Sequence, residues 1–85
     1  MEKVSVEGKS VEVKLNSKIY CYDCALKTKD AFKKLCRVFV KKNDDFIFVA
    51  LKPKRKIKNT ELEILGYEFC NHLLNTMKEK NTGLI

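Results

Sequence analysis

The chain has 85 residues, a formal net charge of +7, 45% hydrophobic and 34% charged residues, and four cysteines. That length allows one domain with a modest core, and the balance of apolar to charged residues excludes a disordered chain. The longest apolar run, Phe46 to Leu51, is far short of a membrane span, and MEKVSVEGK at the start lacks the apolar region of a secretory signal. A cytoplasmic location is therefore expected.

Residues 1–16 predict a β-hairpin. Val4 and Val6 fall on one face of a first strand, Val11, Val13 and Leu15 on one face of a second, and Gly8 lies between them. Glu12 and Lys14 on the alternate positions predict a solvated side. From residue 21 to 35 the period becomes helical. Cys21, Cys24, Ala25, Thr28, Ala31, Phe32 and Leu35 share one stripe, and Lys27, Lys29, Asp30, Lys33 and Lys34 cover the opposite side. Asp23 suits the first turn, where a carboxylate meets the positive end of the helix dipole.

Residues 36–52 predict a strand pair joined through Asn43 and Asp44. Val38 and Val40 alternate with Arg37, Phe39 and Lys41. The following strand is apolar on both faces, with Phe46, Phe48 and Ala50 on one and Ile47, Val49 and Leu51 on the other. A strand of that kind calls for a cover on both sides. Two helices in this order, with short connections, reach only one face. Pro53 ends the strand, and Lys54, Arg55 and Lys56 form a basic loop.

The stretch 60–80 predicts the helix that organises the domain. Leu62, Leu65, Phe69, Leu73 and Met77 lie within a stripe of about 120°, the width of a helix face packed on a core. Thr60 with Glu63 reads as a capping box, Lys78 and Lys80 suit the last turn, and Gly83 followed by Leu84 and Ile85 reads as a stop. The whole is an α+β two-layer sandwich in ββαββα order. A four-stranded, mainly antiparallel sheet carries two helices on one face.

Candidates for chemistry are few. Cys21 and Cys24 have the spacing of a zinc half-site or a redox pair, with Cys36, Cys70 and His72 as conceivable complements. A zinc site normally brings a second tight pair, and Cys70 and His72 point about 200° apart on a helix. The CxxC cysteines also lie on the core stripe, where Cys serves as a small hydrophobe. The expectation is core thiols, no metal and no cofactor. The three glycines form no phosphate loop, His72 has no nucleophile set, and no enzyme is expected. The tentative contact residues are Arg37, Phe39, Lys41, Lys54, Arg55 and Lys56. An aromatic among cations on an open sheet face suits single-stranded nucleic acid, and it equally suits a protein partner or a second copy of the chain.

VEVKLNSKIYCYDCALKTKDAF, FVALKPK and ELEILGYEFCNHLL together resemble the small HxsD proteins of the His-Xaa-Ser system. Leu15, Tyr20, Ala25, Phe32, the run from Leu51 to Lys54, Glu68, Phe69, Asn71, Leu73 and Leu74 carry the resemblance. Such proteins are encoded beside radical-SAM proteins and a substrate with His-Xaa-Ser repeats. The resemblance implies a non-catalytic accessory or adaptor in peptide modification, and it brings no catalytic residues. The alternative from the residues alone is a small basic nucleic-acid-binding domain.

Overall fold

The computed structural model describes residues 3–82, with side chains through residue 79. Six elements follow one another: β1 (Lys3–Glu7), β2 (Ser10–Asn16), α1 (Tyr22–Phe32), β3 (Cys36–Lys42), β4 (Phe46–Pro53) and α2 (Asn59–Thr82). The strands form one antiparallel sheet in the order β1-β2-β4-β3. This is the expected α+β fold in ββαββα order. β1 and β3 are its edges, and the doubly apolar β4 lies inside.

Local chemistry sets the turns. Gly8 has φ +59°, in the left-handed region that glycine enters without a Cβ penalty, and it closes the first hairpin. In the second hairpin Asn43 Oδ1 accepts from the amides of Asp45 (2.9 Å) and Phe46 (2.7 Å), an Asx turn.

The strands alternate cleanly between the faces of the sheet. Val11, Val13, Leu15, Val38, Ile47, Val49 and Leu51 are buried beneath the helices. Against them pack Cys24, Ala25, Thr28 and Phe32 of α1 and Leu62, Phe69, Cys70 and Leu73 of α2. The Thr28 hydroxyl donates to the Cys24 carbonyl at 2.8 Å, which satisfies the one buried polar side chain among the described residues. Phe32 joins the helices, with its ring centroid 5.3 Å from Phe69 and 5.7 Å edge-on to His72. Gly66 lets α2 lie close on the sheet: a Cβ there would meet Val4 Cγ1 at 2.6 Å and Val11 Cγ2 at 3.0 Å.

Several expectations need correction. α1 ends at Phe32, three residues short of the expected end. Leu35 therefore leaves the core stripe and is 68% exposed. Its amide donates to the Phe32 carbonyl, and its carbonyl accepts from Lys54, so the turn serves the entry into β3. Ala31, at the edge of the stripe, is exposed. α2 begins at Asn59, with the Leu62 amide donating to the Lys58 carbonyl, so Thr60 lies inside the first turn and does not cap it. The stop expected at Gly83, Leu84 and Ile85 lies outside the described residues. No helix among the described residues is long and apolar enough to cross a membrane.

Candidate functional site: the open face of the sheet

The face turned away from the helices follows from the strand register. One row runs Lys3, Lys14, Phe48, Lys41 across the sheet, and the next runs Ser5, Glu12, Ala50, Phe39. Arg37 stands opposite Lys52 beyond them, and Asn16 stands opposite Phe46 at the other end. Among the described residues, the cations Lys3, Lys14, Arg37, Lys41 and Lys52 thus share the face with two acids, Glu7 and Glu12.

Two rings on this face are open to solvent. Phe39 is 60% exposed and Phe48 38% exposed. They occupy diagonal positions on adjacent strands and line a shallow depression of about 570 Å³, rimmed by Lys3, Lys14 and Lys41. Phe46 is less accessible, because the Lys14 ammonium sits 4.0 Å from its ring centroid. That cation–π contact fixes the lysine beside the depression.

The six expected contact residues do not form one site. Phe39 and Lys41 line the depression. Arg37 and Lys54 come together in a second hollow with Lys52 and Pro53. Arg55 and Lys56 lie with Lys9 and Ile57 in a third, which shares Lys52, Pro53 and Lys54 with the second and lies where the chain crosses toward α2. Sequence reasoning left Lys3, Lys14, Phe48 and Lys52 out of the contact set. The alternation of β4 grouped Phe48 with Phe46 and Ala50, but the register sets that group on the open face, and strand order brings Lys3 and Lys14 beside it.

The cysteines lie on the other side of the sheet, Cys36 on β3 and the rest on or at the helices. The Cys21 sulfur caps α1, accepting from the Cys24 amide at 3.4 Å, while Cys24, Cys36 and Cys70 are buried. Burial pushes the Cys36 thiol above its ordinary pKa, and the nearby Lys54 charge opposes that rise. Its S–H donates to the Phe32 carbonyl at 3.4 Å. None of the four is in a disulfide, and no cluster of three or more metal-ligating side chains forms among the described residues.

In comparisons with known proteins, no family model matches the chain, and no curated protein or solved structure is significantly similar to it.

Proposed function

We propose that this chain is a non-catalytic accessory protein that holds a protein partner on the open face of its sheet. Its resemblance to HxsD suggests a radical-SAM peptide-modification system in the cytoplasm as the setting. The observation that carries the reading is the pair of exposed rings, Phe39 and Phe48, within a border of lysines on a face that neither helix covers. Apolar area left open in this way marks contact surfaces, and a cationic rim selects and orients a partner more than it adds affinity. Binding is favoured over catalysis because the face offers rings and ammonium groups, whereas His72 lies on α2 against Phe32.

Co-expression with the products of the genes adjacent to its own tests the reading. A complex that survives gel filtration is expected, lost in Phe39→Asp and Phe48→Asp while the circular dichroism stays unchanged. No complex with any neighbouring product, or one indifferent to both changes, overturns it.

Single-stranded nucleic acid is the second reading, favoured by the diagonal rings among cations. In that case Phe39→Ala weakens oligonucleotide binding by about 1–3 kcal/mol, the loss of one stacking platform. Changing Lys54, Arg55 and Lys56 together to Ala flattens the salt dependence. Protein contact is preferred because Arg55 and Lys56 lie in a different hollow from the rings.

A further inference from the structure

β3 is an edge strand of seven residues, Cys36–Lys42, paired with β4 in unbroken register. The direction of its backbone groups follows from two bonds just beyond its ends. The Lys54 amide donates to the Leu35 carbonyl at 3.1 Å, and the Asn43 amide donates to the Phe46 carbonyl at 2.9 Å. Antiparallel pairs alternate between bonded and non-bonded residues. Arg37, Phe39 and Lys41 therefore exchange their hydrogen bonds with β4, while Val38, Val40 and Lys42 turn N–H and C=O away from the sheet. Pro53 fits the same phase, since it stands opposite Cys36, where no donor is needed.

The side chains along this edge have a definite pattern. On the open face β3 presents cation, ring, cation: Arg37, Phe39, Lys41. Within the sheet these charges are not neutralised by their cross-strand neighbours. Arg37 faces Lys52, Lys41 faces Phe48, and across the sheet Lys14 faces Lys3. Like charges directly opposite each other destabilise a sheet, so this arrangement favours anionic groups from outside.

We infer that β3 takes up an extended acidic segment of the partner as a fifth strand. Its acidic side chains lie opposite Arg37 and Lys41, and an apolar one lies opposite Phe39. The inference rests on the open face being the contact surface, and it adds the partner's conformation and charge pattern. On the outer side of β3, Arg37, Phe39 and Lys41 occupy non-bonded positions, where opposing side chains approach most closely. Val38 and Val40 supply the main-chain bonds, and the side-chain pairs supply the choice of partner. A second copy of this chain is a poor occupant. Antiparallel pairing of two β3 strands about Phe39 sets Arg37 against Lys41 of the other copy. The charges that block such self-pairing are the ones that favour an acidic strand.

The test uses the full chain and a synthetic peptide in which Glu and Thr alternate about a central Phe, so that the Glu and Phe side chains share one face. A peptide with Lys in place of Glu is the control. Binding is followed by NMR shifts and amide hydrogen exchange. The expected result is new protection of the Val38 and Val40 amides by the acidic peptide alone. Lys41→Glu should weaken it about tenfold, and Lys at the facing peptide position should restore it. Shifts at Phe39 and Phe48 without protection of Val38 and Val40 overturn strand addition and leave the contact face standing. An acidic peptide that does not bind, while the complex with a neighbouring gene product persists, also overturns the inference alone. Tighter binding to oligothymidylate than to the peptide overturns both readings.

Discussion

The two faces of one sheet have opposite chemistry although the same strands build them. The covered face is closed by a row of valines, leucines and isoleucine under two helices, with Val11, Leu15, Ile47 and Leu51 fully buried. The open face carries rings and cations in contact with water. On β4 the contrast comes down to adjacent residues: Ile47, Val49 and Leu51 are core, while Phe48 between them is 38% exposed. An 85-residue chain with two helices in this order covers one side of its sheet, and Phe39 and Phe48 on the other side stay open to solvent.

The contrast breaks first at Phe69, fully buried and packed at a tilt against Phe32. Phe69→Ala is expected to cost about 3–5 kcal/mol, measured by urea denaturation. That is a large share of a small domain's stability. A loss below about 1 kcal/mol would mean that α2 does not close the core as described.

Gly66 sharpens the contrast from the opposite direction, by adding atoms. A glycine inside a helix normally gains about 1 kcal/mol on change to Ala. Here the new methyl would press on Val4 and Val11. Gly66→Ala should therefore destabilise by about 1–2 kcal/mol, with the overpacking outweighing the propensity gain. A raised melting temperature would show that the helix can lift off the sheet without loss.

Cys36 gives the covered face a pH signature. Its folded pKa is raised, chiefly by burial. The thiol therefore stays protonated in the folded state at pH values where the unfolded chain has released the proton. The stability it contributes is fully present below the ordinary thiol pKa and declines as pH rises from that value through the folded one. The slope is at most about 1.4 kcal/mol per pH unit. Subtracting the pH profile of Cys36→Ala from that of the parent protein should isolate this decline. Identical profiles would contradict the burial.

The smallest stability effect belongs to the open face. Phe39→Ala should change unfolding free energy by no more than about 0.5 kcal/mol, the usual range for an exposed side chain away from special contacts. A loss of 2 kcal/mol or more would make Phe39 a structural residue and remove the contrast. Chelator with reductant should leave the melting curve unchanged, because the Cys21 sulfur caps a helix and Cys24 packs in the core. A drop in melting temperature on chelation would restore the zinc reading, since structural zinc contributes folding free energy directly.

Periodicity in the sequence determined the order and type of all the elements, because alternation and helical spacing are local properties of the chain. It also determined which side of β1, β2 and β3 is apolar; β4 is apolar on both, and its register with β3 sets Phe48 on the uncovered face with Phe39. Three further outcomes needed the tertiary structure. Leu35 sits at a helical core position, yet it is exposed because the chain must turn at Lys33 to bring Cys36 opposite Pro53. Cys70 lies outside the five-residue stripe of α2 but is buried in the shared core, where Phe32 of α1 packs on α2 at Phe69 and His72 and widens the covered arc. Gly66 reads as a weak point in a helix until the sheet supplies Val4 and Val11 beneath it. The site divided in the same way. Arg37, Phe39 and Lys41 were legible as an alternating strand, whereas Lys3, Lys14 and the separation of Arg55 and Lys56 from the rings depend on strand order, which links residues far apart in the chain through hydrogen bonds that no local pattern encodes.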